Sequence, residues 1–272
     1  MAGLAGPLLL VGCGKMGGAL LAGWIAKGLA AADVYVVEPD AGLRTRTRDR
    51  HGVAAVAEPR ELPTDLRPRA IVFAVKPQAM AAVLPAYAQL AGSGVVLSIA
   101  AGTAIARFEA AFGATTPVVR AMPNTPAAIG QGVTALVANP HASAAQRELC
   151  AQLMAAVGQV LWIDDEEHMH VITAMSGSGP AYVFYLVEVL AKAAIGNGLP
   201  EALAWPMARA MVAGSAALAA SSEQPVEALR QQVTSPGGTT QAALAVLMAP
   251  DGMQSLFDRA VAAATRRSRE LA

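Results

Sequence analysis

With 272 residues, the chain is long enough for two domains or for one large one. Its 20 basic and 20 acidic residues balance to a formal charge of zero, and charged residues make up only 15% of the chain, so neither nucleic acid nor an anionic surface is expected as a partner. Two cysteines, Cys13 and Cys150, cannot form a disulfide framework, which favours a reducing, cytoplasmic location.

The mean hydropathy of +0.43 is high, yet no membrane span is predicted. The most apolar windows carry Glu188, Lys192 or Arg209 near their middles, so none is a clean stretch of about 20 residues. The N-terminus lacks the basic region of a signal peptide. The surplus of apolar residues therefore needs another explanation.

The first predicted element is a buried strand, LLLV, which runs into the glycine turn GCGKMG and then into an apolar helix. This order is the context that a dinucleotide-binding loop requires. Gly12 allows the sharp turn, Gly14 lets the backbone approach a pyrophosphate, and Gly17 lets the helix pack close to the sheet. The helix N-terminus then offers N–H groups to the phosphates. A glycine turn with only a packing role is the alternative.

Further strands alternate with helices in the first part of the chain, which predicts a doubly wound parallel sheet. The five strands that follow the first are expected at 34–37, 54–56, 70–75, 94–99 and 117–121. Helices are expected at 44–50, 78–91 and 104–112, and two more strands, at 132–137 and 159–163, flank a helix at 143–157.

Beyond residue 163 the pattern is helical only. The acidic cluster at 164–167 predicts a boundary between a dinucleotide-binding domain, residues 1–163, and an all-helical domain, residues 164–272. Between residues 171 and 220 only four residues are charged, so these helices have almost no polar face. One large core would explain this, but a domain of this size cannot bury so much apolar surface by itself. We favour a helical domain that interlocks with a partner subunit.

Residues at the ends of the predicted strands are candidates for the cofactor site, because ligands bind outside the carboxyl ends of parallel strands. Glu38 ends the second strand, where a carboxylate bonds the ribose hydroxyls and repels a 2′-phosphate. Three nearby arginines could instead receive that phosphate, so the choice between NAD and NADP stays open; they are Arg44, Arg46 and Arg48.

Two further strand ends add candidates. Lys76 follows the fourth strand and would contact the cofactor, unless it is only a polar strand exit. Asn124, in the proline-stiffened loop MPNTP, would orient the nicotinamide amide or the substrate, although a rigid turn alone would look similar.

A second anion site is predicted in the helical region. The segment VTSPGGTT (233–240) precedes an apolar helix, so the N–H groups of residues 237–240 would open that helix and bind a small carboxylate. A simple Ser/Thr helix cap is the alternative. The four histidines show no metal spacing and no nucleophile triad is present, so hydride chemistry by a bound cofactor fits best and no metal is expected.

These motifs together resemble pyrroline-5-carboxylate reductases. Six segments carry the resemblance in one order: VGCGKMGGAL (11–20), VFAVKPQ (72–78), SIAAG (98–102), AMPNTPA (121–127), SGSGPAYVF (176–184) and VTSPGGTT (233–240). The resemblance implies reduction of (S)-1-pyrroline-5-carboxylate by NADPH or NADH to L-proline. It also implies a Rossmann-type α/β domain followed by an all-α dimerisation domain, with dimers often forming a decamer.

The resemblance also implies two sets of site residues. The cofactor would be lined by Val11, Gly12, Cys13, Gly14, Lys15, Met16, Ala74, Val75, Lys76, Pro77, Ile99, Ala100 and Ala101. The substrate pocket would be lined by Glu223, Gln232, Ser235, Gly237, Gly238, Thr239 and Thr240. The Thr240 hydroxyl would bond the ring nitrogen and act in catalysis.

Three positions depart from the family pattern. Gln232 stands where many relatives carry Asn, Glu38 replaces a small or polar residue, and Pro59 lies near an Asn that contacts adenosine in relatives. Two other functions compete. A β-hydroxyacid type of dehydrogenase would use a catalytic lysine, for which Lys192 is the one candidate after Lys76. A dinucleotide-binding sensor would not need a second anion site.

Overall fold

The computed structural model describes residues 6–92 and 94–272. One sheet of eight strands organises the first part of the chain. The strands are β1 Leu8–Val11, β2 Val34–Val37, β3 Ala54–Val56, β4 Ala70–Phe73, β5 Val95–Ser98, β6 Val118–Met122, β7 Gly132–Ala138 and β8 Gly158–Trp162.

The strand order is β3-β2-β1-β4-β5-β6-β7-β8. All neighbouring strands are parallel except β6 and β7, which pair antiparallel with Val119 opposite Ala138. The predicted doubly wound Rossmann-type sheet is confirmed. The reversal at β7 was not predicted; a short 3-10 helix, Thr125–Ile129, connects the two strands, and so short a link cannot make a parallel crossover.

Within the described residues, seven α-helices accompany the sheet: α1 Lys15–Ala26, α2 Ala41–His51, α3 Pro77–Val83, α4 Ala88–Ala91, α5 Ile105–Phe112, α6 Ala144–Ala155 and α7 His168–Ile172. The single helix predicted at 78–91 is instead α3 and α4 separated by a 3-10 turn, Leu84–Tyr87. Pro85 lies in that turn, and a proline removes the N–H that a continuous helix needs.

Hydrophobic side chains cover both faces of the sheet. On one face, the buried Trp24 of α1 donates its Nε1–H to the carbonyl of Leu153 in α6 at 2.8 Å. On the other, Phe73 of β4 contacts Tyr87 and Phe108, with ring centroids 5.4 and 5.8 Å apart. Burial on both sides explains why the strand sequences read as continuous apolar runs.

The chain forms two compact units. The first contains the described residues up to Gly177 together with Ala264–Ala272, and the second is Ser178–Ala263. Residues 164–177, which the sequence places in the second domain, thus pack with the sheet. Glu166 provides a reason, because it forms an ion pair with Arg120 of β6.

The second unit is helical throughout, as predicted. Its helices are α8 Gly179–Gly196, α9 Glu201–Ser221, α10 Val226–Gln232, α11 Thr239–Leu247 and most of α12 Met253–Glu270. Its buried core is small and consists of Ala191, Ala204 and Ala208. Large apolar side chains of α8 are exposed instead, with Phe184 at 64% and Tyr185 at 63%.

Two helical stretches are long and apolar enough to cross a membrane by length and composition alone: His168–Gly196 and Glu201–Ser221. The prediction that no such stretch exists is corrected here, because the charges near the middles of these segments still leave an apolar window of sufficient length. Only 6% and 11% of the two windows are buried within one chain. A membrane or a partner subunit could cover such surfaces.

Candidate dinucleotide and substrate sites

The carboxyl ends of the parallel strands bring the predicted cofactor segments to one edge of the sheet. Hydrogen bonds between the residues just beyond the strands hold this edge: the N–H of Gly12 donates to the carbonyl of Val37 at 2.8 Å, and that of Ala74 donates to Val11 at 2.8 Å. The N–H of Ile99 donates likewise to Phe73 at 3.1 Å. The strand order reverses between β1 and β4, which is where such sheets bind dinucleotides.

The three loop glycines meet different surroundings. Gly12 has a φ of +87°, and a Cβ there would lie 2.9 Å from the carbonyl oxygen of Ala74. A Cβ on Gly17 would collide with the carbonyl oxygen of Gly12. A Cβ on Gly14 would meet no atom within 4 Å. The fold therefore requires glycine at positions 12 and 17. Gly14 instead faces open space at the uncapped N-terminus of α1, which fits a pyrophosphate.

This contrast gives a paired prediction. Gly14→Ala should fold normally, losing less than about 1 kcal/mol of stability as a changed helix N-cap, but bind NADH and NADPH about tenfold more weakly, because the new methyl group occupies the pyrophosphate's space. Gly17→Ala should lose about 1–3 kcal/mol through overpacking. Thermal unfolding and fluorescence titration with dinucleotide separate the two effects. Equal behaviour of both variants would contradict the assignment of Gly14.

Glu38 is buried, with 6% of its surface exposed, and its carboxylate is bonded to the glycine loop. Oε2 accepts the N–H of Cys13 at 2.8 Å, and Oε1 accepts the N–H of Asp40 at 3.0 Å. The carboxylate thus fixes the loop to the end of β2. Each oxygen keeps a second lone pair for a ligand hydroxyl.

The three candidate arginines of α2 have separate roles in the structure. Arg44 donates through Nη1 to the carbonyls of Glu38 and Pro39, at 2.8 and 3.0 Å. Arg48 donates to the carbonyl of Ala55. Arg46 lines an open groove between α1 and α2. Two of the three guanidinium groups are therefore held by backbone carbonyls.

The side chain of Cys13 is buried in the hydrophobic core beside α2. The Thr47 hydroxyl lies 3.4 Å from its Sγ, and only 5% of the residue is exposed. Burial raises the pKa of the thiol above its usual value, against a smaller opposing effect of the Thr47 hydrogen bond. The thiol is therefore protonated at neutral pH, and Cys13 contributes through its backbone.

The segments after β4 and β5 lie where the prediction puts them. Lys76 is exposed and precedes α3, of which Pro77 is the first residue. Pro77 and Ala101 line a cavity of about 410 Å³ that also contains Arg107. The other predicted residues, Met16, Val75 and Ala100, lie on α1 and just after β4 and β5, at the same edge.

Asn124 is committed to hydrogen bonds within the protein. Its Oδ1 accepts the N–H of Val133 at 3.0 Å, and its Nδ2 donates to the Ser176 hydroxyl at 3.3 Å. Ser176 belongs to a π-helical turn, Thr173–Gly177, and π turns are frequent at functional sites. Both polar atoms of the amide thus hold the loop after β6, and the structure supports a positioning role for Asn124.

The SPGGTT segment forms a tight turn before α11. Gly237 has a φ of +70°, which favours glycine, and Gly238 is the N-cap of the helix. The N–H of Gly237 donates to Oε1 of Gln241 at 2.5 Å, and that of Gly238 donates to the carbonyl of Ser235 at 3.0 Å. Two of the four N–H groups expected to bind an anion are therefore already bonded. Those of Thr239 and Thr240 begin the helix, which has no side-chain cap.

The other predicted substrate residues belong to the same unit. Gln232, at the end of α10, donates through Nε2 to Oε1 of Gln224 at 2.6 Å. This bond connects the end of α10 with the loop that contains Glu223, which is exposed. The loop with Glu223 therefore precedes α10 and the SPGGTT turn follows it, so one short helix separates the two groups of predicted substrate residues.

The sequence reading missed the role of Glu166. This carboxylate accepts the Arg120 Nη1–H at 2.7 Å and the N–H of Ile105, the first residue of α5, at 2.9 Å. Arg120 is a charged residue inside an otherwise apolar strand, and such a buried charge requires a partner. The charge of Arg120 within this strand could therefore have predicted an acidic partner such as Glu166.

Family models of known proteins match both parts of the chain. A family model described as "NADP oxidoreductase coenzyme F420-dependent" matches residues 8–102, and one described as "Pyrroline-5-carboxylate reductase dimerisation" matches residues 166–271. A pyrroline-5-carboxylate reductase of Pseudomonas aeruginosa is 41% identical over 266 residues, which cover 97% of this chain and 96% of the relative.

Two solved structures superpose on nearly the whole chain. The pyrroline-5-carboxylate reductase of Coxiella burnetii superposes with a TM-score of 0.92 at 34% identity, covering 98% of this chain and 99% of the other. The Plasmodium falciparum enzyme with NADP bound gives 0.83 at 28% identity and covers 99% of both chains. Identity of this extent, over a chain with this sheet and this helical region, places the protein in the pyrroline-5-carboxylate reductase family.

Proposed function

We propose that this protein reduces (S)-1-pyrroline-5-carboxylate to L-proline with NADH or NADPH, the final step of proline biosynthesis. The observation that carries this proposal is the 41% identity to a pyrroline-5-carboxylate reductase over 97% of the chain. The open backbone at Gly14 and the turn before α11 support the proposal, since the first would receive the dinucleotide and the second the substrate.

The dinucleotide would be held by the edge of the sheet in the first unit. The uncapped N-terminus of α1 offers N–H groups to the pyrophosphate, and Glu38 offers carboxylate oxygens to the adenosine ribose. When bound, the reduced nicotinamide supplies the hydride. Asn124 holds the loop after β6 through Oδ1 and one Nδ2–H, and its second Nδ2–H would orient the nicotinamide amide or the substrate.

The substrate carboxylate would bind the N–H groups of Thr239 and Thr240, with Ser235 and Glu223 nearby in sequence. If Gln241 released the N–H of Gly237, a third donor would become available, since that bond comes from a side chain. The Thr240 hydroxyl would bond the ring nitrogen and help to keep its proton. A protonated imine is a far better hydride acceptor, so one proton and one hydride complete the reduction of the C=N bond.

The test is oxidation of NADH and of NADPH, followed by absorbance, with pyrroline-5-carboxylate as the substrate and L-proline as the product to be identified. Turnover that depends on both reactants supports the proposal. Dinucleotide binding without turnover of any cyclic imine would contradict it, and would favour a sensor or a different dehydrogenase.

The functional unit in this proposal is a homodimer formed through the helical unit, located in the cytoplasm. Val183, Phe184 and Val187 of α8 line an apolar groove with Trp205 and Val212 of α9, and the dimerisation model covers these helices. A second copy of the chain, not a membrane, would cover them. Both cysteines are free thiols, as a reducing compartment maintains them.

We expect light scattering at micromolar concentration to give the mass of at least two chains, since an apolar surface of this kind is typical of an obligate interface. A mass of ten chains would indicate assembly of five dimers, as the family resemblance implies. A monomer under these conditions would contradict the dimer, and recovery with a membrane fraction would contradict the cytoplasmic location.

A further inference from the structure

We propose that Glu38 makes this enzyme select NADH over NADPH. The inference rests on the proposed function for its kinetic measurement but not for its binding measurement. It concerns the adenosine end of the dinucleotide, where NADH carries a free ribose 2′-hydroxyl and NADPH a 2′-phosphate.

Glu38 has the position and the acidic side chain needed to distinguish the two ligands. It follows the last residue of β2, beside the glycine loop, and its two oxygens accept the N–H groups of Cys13 and Asp40 at 2.8 and 3.0 Å. Two backbone donors hold the carboxylate in its buried position. The remaining lone pairs can accept ribose hydroxyls, whereas a 2′-phosphate would meet a second negative charge at close range.

Several arginines near the end of β2 are cations that could offset this repulsion. The Arg44 guanidinium donates hydrogen bonds to the carbonyls of Glu38 and Pro39, and the Arg48 guanidinium donates to the carbonyl of Ala55. A bidentate phosphate contact would have to break or share these bonds. Arg46 and Arg50 line the groove between α1 and α2 with Lys15 and Asp49. Nη1 of Arg46 lies near Asp40 at the start of α2, since both would be 3.3 Å from a Cβ on Gly42. Near the β2 end, the buried carboxylate of Glu38 therefore lies beside two arginines that carbonyls already engage, and Arg46 is the cation left to approach a 2′-phosphate.

The experiment compares Glu38→Gln with Asp40→Asn. The first removes the charge but keeps an acceptor for the Cys13 N–H. The second removes the same charge two residues away, at an exposed N-cap whose Oδ1 accepts the N–H of Leu43 at 2.7 Å and which asparagine can replace. Affinities for ADP-ribose and 2′-phospho-ADP-ribose are measured by calorimetry, and kcat/KM for NADH and NADPH is measured with pyrroline-5-carboxylate.

For the unmodified protein we expect a preference of about tenfold or more for the unphosphorylated ligand, equivalent to about 1.4 kcal/mol. Glu38→Gln should reduce this ratio about tenfold, mainly by improving binding of the phosphorylated ligand, while Asp40→Asn changes it by less than about threefold. A preference for NADPH in the unmodified protein would overturn the proposal, as would equal ratios in both variants. Because the ADP-ribose measurement needs no turnover, absence of reductase activity would refute the proposed function and leave this test intact.

Discussion

Thr240→Val should lower kcat/KM for pyrroline-5-carboxylate by roughly 30- to 900-fold, equivalent to about 2–4 kcal/mol of transition-state stabilisation. Valine has nearly the same shape but cannot bond the ring nitrogen. Because the bond matters most when the imine accepts a hydride, the loss should fall mainly on kcat. Thr240 is the second residue of α11, a position that valine tolerates.

The matched variant is Thr240→Ser, which keeps the hydroxyl and should retain most of the activity. Dinucleotide affinity and thermal unfolding, measured for both variants, show whether the fold and the first ligand site are intact. Undiminished kcat/KM in Thr240→Val would remove this hydroxyl from the mechanism. Equal losses in the serine and valine variants would point to packing at this position rather than to hydrogen bonding.

Glu166→Ala should lower the free energy of unfolding by about 3–5 kcal/mol, because it leaves a charged guanidinium without its partner in the protein interior. Arg120 is 3% exposed and bonds Glu166 at 2.7 Å. The same carboxylate also accepts the N–H of Ile105 at the start of α5, so the alanine variant loses a helix cap as well. Urea denaturation at a fixed protein concentration measures the change.

Glu167→Ala is the matched control for this prediction. Glu167 is the next residue, and it faces Arg269 at 3.9 Å with both side chains more than half exposed. Exposed pairs of this kind contribute about 0–1 kcal/mol, so the loss should be small. The double variant Glu166→Ala with Arg120→Met should recover part of the stability lost in the single variant. Similar losses in Glu166→Ala and Glu167→Ala would show that the ion pair is not buried in solution.

The strands were predictable because most are short, mainly apolar runs, several of which end at a turn or charged residue, such as Gly12 after β1, Glu38 after β2 and Pro123 after β6. The direction of β7 was not, because periodicity carries no information on pairing direction. The break at Pro85 follows from a rule that applies to any proline within a helix. The extent of the first unit could not be read from the sequence, because it depends on a contact between Arg120 and Glu166, 46 residues apart in the chain.

For the site, the backbone positions were easier to predict than the side-chain bonds. Gly12, Gly14 and Gly17 have the different surroundings that the motif implies. The occupied N–H of Gly237 depends on the rotamer of Gln241, which no local pattern reveals. The bonds of Arg44 and Arg48 to backbone carbonyls could not be predicted either, because they depend on how the chain turns before and after α2.

The small alanine core between α8 and α9 has a consequence for how stability is defined in this protein. Ala191, Ala204 and Ala208 let the two helices approach closely but bury little apolar surface. If the missing burial comes from a second chain, folding of this unit and association are one equilibrium. The unfolding midpoint of this unit then depends on protein concentration. A substitution on the exposed face of α8 would shift that midpoint by weakening association of the two chains, as dilution would, rather than by disturbing the fold around the substituted residue.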